Sequence, residues 1–268
     1  MKATAAIAIN VFRESVRDKV LYNLVLFAIL LIGASLIIGE LTAGQDVKII
    51  KDLGLSATSL FGLFIAVFIG IGLVSKEVER RSIYSLLAKP IHRSQLVVGK
   101  YVGLALTLVV NVGLMAIAQY VVLAYMGWRA PEAVVKAWEA PPLDPRLLVA
   151  IGLILVELML ITAIAIFFST FSTPILSAAL TFSLFIVGHY SVDLRNFQDA
   201  VESPAAGRLA AALYWVLPNL AQFDVKAQVV HGQAVPAGYV ALALAYAAAY
   251  IALLLTVSVL VFSRRDFK

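Results

Sequence analysis

The chain has 268 residues, of which 62% are hydrophobic and only 14% charged, against about 25% charged residues in a soluble domain. That composition excludes a soluble globular protein and indicates a polytopic membrane protein. The net charge of +5 resolves into clusters at the ends of apolar segments, so no nucleic-acid partner is expected, and the absence of cysteine excludes disulfides, thiolate nucleophiles and Cys-based metal sites.

The first stretch, residues 1–20, reads "MKATAAIAINVFRESVRDKV". Its apolar core is short and is broken by Arg13 and Glu14, so it is not a signal peptide. On a helical wheel Ile9, Phe12, Val16 and Val20 share one face, and Asn10, Arg13, Glu14, Arg17 and Asp18 share the other. This pattern predicts an interfacial helix over 1–20, lying along the membrane surface. The alternative is a cytosolic extension of the first span.

A membrane-crossing helix needs about 20 mostly apolar residues. Six segments meet or approach this: 21–38, 56–74, 101–126, 147–168, 175–192 and 239–262. The third is long enough to tilt, and the fifth is the shortest. The fold class is therefore all-α integral membrane, with six transmembrane helices. An even count puts both termini on the same side. With the termini inside, 13 of the 21 Lys/Arg fall in inner segments and 8 in longer outer loops. The positive-inside rule then gives cytoplasmic termini in a plasma (inner) membrane.

The connections differ in character. Residues 39–55 and 127–146 are outer connections, and the second is Pro-rich and carries Trp128 and Trp138 as interface anchors. Residues 169–174 form a tight inner turn, with Pro174 opening the next helix. The connection over 193–236 is long. Within it "LAAALYWVLP", residues 209–218, is too short to span a bilayer and suits a re-entrant or surface-lying helix.

The loop between the second and third spans is the most charged part of the chain. "SKEVERRSIYSLLAKPIHRSQLVVGK", Ser75 to Lys100, holds six Lys/Arg, two Glu and one His. Ile83, Leu86 and Leu87 fall at i, i+3, i+4 and share a helical face. Pro90 forces a break, and Ser94 is the expected N-cap of the next helix, with Gln95 onward inside it. The outcome is a short amphipathic helix on the cytoplasmic side, an apolar patch ringed by charge that fits a groove on a soluble partner.

Extended to Gly103, this stretch resembles the membrane-spanning permease subunits of type-2 ABC exporters. Glu77, Glu79, Arg80, Leu86, Leu87, Pro90, Arg93, Gly99 and Lys100 match the family's loop, while Arg81-Ser82 stands where Gly-Thr is common. The layout is similar throughout, from the N-terminal surface helix to the basic "SRRDFK" end. The chain also resembles the permeases of nitrous-oxide-reductase maturation and of gliding motility. The resemblance implies a single transmembrane domain over 1–268, with a coupling loop at 76–95 that sits on a separate ABC ATPase subunit. It assigns ATPase coupling to Glu77, Glu79, Arg80, Ile83, Leu86, Leu87, Pro90, Arg93 and Lys100. It places ATP and Mg on the partner ATPase and implies pairing with a second permease, as a homodimer or a heterodimer. The substrate stays open.

The chain's own chemistry agrees with a non-catalytic role. Gly99-Lys100 lacks the upstream Gly and the following Ser/Thr of a P-loop, since those positions hold Ser94 and Tyr101. His92, His189 and His231 are isolated and lack the H-E-x-x-H spacing of a metalloprotease. His189 is expected at the outer interface as a polar anchor. His231 with Asp224 makes only two ligands, too few for a metal site.

Glu157 is the sharpest polar anomaly, an acid mid-span where insertion costs about 2.5–3.5 kcal/mol. It belongs either to a transport path or subunit interface, or to a structural hydrogen bond with Asn111, Gln119 or a Tyr. Asn111 and Gln119 are expected to bond across helices. Gly99-x-x-x-Gly103 and the set Gly62, Gly70, Gly72 permit close helix approach. The sequence thus points to an ABC exporter permease. A secondary transporter or channel is the alternative, but it would need ionisable residues along its path, and Glu157 is nearly alone. An intramembrane enzyme is disfavoured.

Overall fold

The computed structural model describes residues 2–40, 46–79, 92–191 and 217–264, together with Gly207 and Tyr214. The elements formed by these residues are all helical. They are α1 (Lys2–Val16), α2 (Lys19–Glu40), α3 (Asp46–Glu79), α4 (Arg93–Arg129), α5 (Glu132–Ala137), α6 (Arg146–Ser169), α7 (Pro174–His189), a 3₁₀ turn (Ala221–Phe223), α8 (Lys226–Val230) and α9 (Ala237–Arg264).

Five of these, α2, α3, α4, α6 and α9, are long and apolar enough to cross a membrane. The sixth, α7, has 16 residues and measures about 24 Å at 1.5 Å per residue, short of the roughly 30 Å hydrocarbon layer. It stops at His189, three residues before the expected end of that span. The protein is an all-α integral membrane protein.

Central burial falls on α3 and α6, which pack against each other, with α4 beside both. Gly62 lies against Leu158 and Gly70 against Ala165, so two of the set Gly62, Gly70, Gly72 bring α6 close, while Gly72 faces open space. Helix α2 packs on α3 and α4, and α9 on α6 and α4. Both leave most of their surface outside the bundle.

One end of the bundle collects the chain's two ends. A Cβ at Gly99 would stand 2.8 Å from the Ile7 side chain, and one at Gly103 would stand 2.6 Å from the Ala8 carbonyl. The Gly-x-x-x-Gly step is therefore the notch into which α1 docks. The face α1 buries there is Ala8, Val11 and Ser15. Ile9, on the predicted membrane face, stays exposed beside it. The helix is shorter than the expected 1–20: it ends at Val16, and the Asp18 carboxylate accepts the Val20 N–H at 2.9 Å to open α2.

Two boundaries depart from expectation at the start of α3 and of α4. Residues 46–55, expected within an outer connection, are helical, because Val47, Ile50 and Leu55 bury one face while Asp52 stays outside. Helix α4 begins at Arg93, capped at His92 and not at Ser94, because the Gln95 side chain reaches back to accept the His92 N–H at 3.3 Å.

At the far end the long connection folds back into the bundle. Leu220, Phe223, Val225 and Val229 are buried, and α8 packs on α3 and α6. The Leu220 N–H donates to the Gly188 carbonyl at 3.0 Å, where a side chain at 188 would collide with Leu220. The Asn219 N–H donates to the Tyr246 hydroxyl at 2.8 Å. The described part of the connection is thus re-entrant: it meets the end of the short helix α7 inside the bundle. The stretch 209–218 lies, except for Tyr214, Leu217 and Pro218, outside the described residues.

Candidate functional site

Among the described residues, three polar regions interrupt the apolar bundle. The first is at the termini end. Helix α3 runs on to Glu79 and α4 restarts at Arg93. Arg80, Ile83, Leu86, Leu87 and Pro90 lie outside the described residues, as do the side chains of Glu77 and Glu79. The Arg93 guanidinium donates through Nη1 to the Phe262 carbonyl at 2.8 Å and the Ser263 carbonyl at 2.9 Å. These carbonyls lie in the last described turn of α9, toward the negative end of its dipole. The loop's exit is therefore fastened to the last helix of the chain. Lys100 is buried about two turns inside α4, next to Gly99, which meets α1.

The second region lies in the interior. Glu157 on α6 is 2% exposed, and its Oε1 stands 3.3 Å from His189 Nε2 at the end of α7. His189 Nδ1 faces the Phe185 carbonyl at 3.2 Å, and its ring packs on the Phe185 ring. The re-entrant segment adds an ion pair, Lys226 Nζ to Asp224 at 3.7 Å, whose charges act on both Glu157 and His189.

Asn111 and Gln119, both buried, make different contacts. Asn111 donates to the Thr107 carbonyl of its own helix at 2.6 Å. Gln119 bonds across helices as expected, donating to the Lys51 carbonyl of α3 at 3.1 Å, in space that the missing side chain of Gly54 leaves. His189 is the partner of Glu157 that the sequence did not reveal, since α7 was expected to run past it to the surface.

The third region closes the far end. Lys51, fully buried, donates to the Pro141 carbonyl at 2.8 Å. Arg146 bonds the Gly232 carbonyl, which a left-handed turn at Gly232 (φ 69°) presents. Glu139 joins Lys48 at 2.5 Å and His231 at 3.2 Å. The Lys48 ammonium first, and His231 second, hold the Glu139 carboxyl below the usual carboxylate range. His231 thus faces Glu139, not Asp224.

Between α3, α4 and α6 lies an apolar crevice too narrow for a water molecule, lined by residues such as Ile65, Leu108 and Thr162. This folded chain of long apolar helices, with a charged loop between α3 and α4, was compared with known proteins. The model of the ABC-2 family transporter proteins matches residues 5–267. The chain belongs to the ABC-2 transporter family. The ABC-2 match covers nearly the whole sequence, so the helices above form the membrane component, the permease, of an ABC transporter. A search of curated proteins returned no match to this ABC-2 permease.

Proposed function

We propose that this ABC-2 permease is the membrane half of an ATP-driven exporter, working with separate ATPase subunits and a second permease. One observation carries the reading. The two longest helices of the bundle, α3 and α4, lead into and out of the charged loop 80–92 at the end where both termini gather. At 34 and 37 residues they measure about 51 and 55 Å at 1.5 Å per residue, well beyond a hydrocarbon layer of about 30 Å. A push on that loop therefore travels as rigid-body movement of helices that cross the whole membrane.

In this reading the termini and the loop face the cytoplasm of a plasma (inner) membrane, ATP and Mg bind on the ATPase, and this chain supplies no catalytic group. The narrow apolar seam between α3, α4 and α6 supports a path between two permeases instead of through that seam. The exposed faces of α2 and α9 are available to lipid and to that second permease.

The test is co-expression with an ABC ATPase encoded beside it, followed by purification of the complex and an ATPase assay. Leu86→Asp and Arg80→Asp are expected to break co-purification while the permease still inserts. A complex that survives both substitutions with full activity removes the coupling role of the loop.

A further inference from the structure

Glu157 and His189 meet in a geometry that fixes the number of protons between them. Imidazole in its neutral form has one N–H donor and one bare acceptor nitrogen. Here Nδ1 is hydrogen-bonded to the Phe185 carbonyl at 3.2 Å, and Nε2 lies 3.3 Å from Glu157 Oε1, in contact but off the line of a hydrogen bond. A carbonyl never donates, so Nδ1 carries a proton. A neutral ring then leaves Nε2 bare beside Glu157. If Glu157 were ionised, a buried carboxylate oxygen with no hydrogen-bond partner would stand 3.3 Å from an unprotonated ring nitrogen.

One additional proton removes the conflict. It sits on Nε2, giving an imidazolium beside a carboxylate, or on Oε1, giving a carboxylic acid that donates to Nε2. In both forms the pair carries no net charge. The neighbouring Asp224 and Lys226, the charged groups acting on the pair from the re-entrant segment, also sum to zero. A net charge here would be desolvated, which is costly.

We propose that Glu157 and His189 form an intramembrane proton-binding site that holds one shared proton at neutral pH. The exchanging proton moves between Glu157 Oε1 and His189 Nε2, and the other proton stays on Nδ1, which donates it to the Phe185 carbonyl. His189 is the entry point: its side chain is 22% exposed against 3% for Glu157, and Asp224 beyond it is 40% exposed. The site is argued from this geometry and does not depend on an ATPase partner.

The experiment counts protons in the purified full chain in lipid nanodiscs at pH 7. Histidine is labelled with ¹⁵N. His92→Gln and His231→Gln, both at exposed positions, assign the remaining signal to His189. Infrared difference spectra between wild type and Glu157→Gln report the carboxyl. Two results support the site: a neutral His189 whose Nε2 accepts a hydrogen bond, with a carboxylic-acid band lost in Glu157→Gln; or an imidazolium with a carboxylate band lost. A neutral ring with a bare Nε2 beside a carboxylate overturns the proposal. So does an imidazolium beside a carboxylic acid, which holds two protons. If Glu157→Gln does not fold, Glu157→Asp replaces it in the infrared arm, where the same bands must shift and not vanish.

Discussion

Arg93 donates to the Phe262 carbonyl at 2.8 Å, and so joins residues 169 positions apart at the termini end of the bundle. The first helical residue after the charged loop is thereby bound to the last turn of the last helix. Movement of the loop's exit reaches α9 without passing through the centre of the bundle.

This contact predicts the behaviour of Arg93 variants. A cation at a helix C-terminus contributes about 0.3–1 kcal/mol, and up to roughly 2 kcal/mol when partly buried. Arg93→Ala is expected to destabilise the detergent-solubilised permease by an amount in that range, seen as a lower thermal unfolding midpoint. Arg93→Lys, which keeps the charge but not the fork, is expected to recover part of it. Equal midpoints for wild type and Arg93→Ala would show that the guanidinium is not held there.

The glycine notch under α1 gives a sharper contrast. At Gly103 a methyl group would stand 2.6 Å from a backbone carbonyl and 2.7 Å from Val11, so Gly103→Ala must push α1 away. Overpacking of this kind costs about 1–3 kcal/mol. Gly113, on the same helix, has nothing within 4 Å of such a group. Gly113→Ala therefore keeps only the helix-propensity gain, about 0.8–1 kcal/mol in a water-exposed helix. Opposite shifts of the two midpoints are expected. A neutral Gly103→Ala would mean that α1 does not sit in the notch.

These two sites show how far the sequence could be read. Composition and apolar run length located the spans, because a bilayer demands about 20 apolar residues wherever a helix crosses it. The Gly99-x-x-x-Gly103 spacing was visible, but spacing does not say which helix fills a notch, and the occupant proved to be α1. Residues 46–55 looked like a loop because Asp46, Lys48, Lys51 and Asp52 interrupt them. Burying Lys51 takes a carbonyl from Pro141, 90 residues away, which no local pattern reveals. Glu157 was conspicuous for its cost in a membrane. His189 was not, since its place beside Glu157 depends on where α7 stops and on the segment that folds back to meet it.

The far-end link makes a prediction in pH. Glu139 is held below its ordinary value of 4.5 by Lys48 and then His231. A carboxyl depressed in the folded state adds stability above its unfolded value, and that contribution disappears as pH falls through the folded value. The Lys48–Glu139 coupling, measured by a double-mutant cycle with Lys48→Met and Glu139→Gln, is therefore expected to be present at pH 7. It should fade as pH drops below 4.5 and vanish only below the depressed folded value, and it should weaken in high salt, because Glu139 lies in the open and is screened. Coupling that persists in acid would rule out an ion pair as its source.

The interior pair predicts a difference between two substitutions at one position. Glu157→Gln keeps the shape and provides an N–H that can donate to His189 Nε2, so the bundle is expected to assemble and unfold within about 1 kcal/mol of wild type, the net worth of one ordinary hydrogen bond. Glu157→Leu fits the apolar surroundings but leaves Nε2 facing hydrocarbon, and an unsatisfied buried polar group costs about 1–3 kcal/mol. The leucine variant, better suited to lipid by hydropathy alone, should therefore be the less stable of the two in thermal unfolding. Adding His189→Leu to it removes the stranded nitrogen and is expected to restore part of the loss. Under the transport reading Glu157→Gln also lowers substrate-stimulated ATPase of the complex without preventing its assembly, because the amide holds the helices together but cannot exchange the proton. If Glu157→Leu matched Glu157→Gln in stability, or if His189→Leu gave no rescue, the two residues would not be in contact in the folded protein.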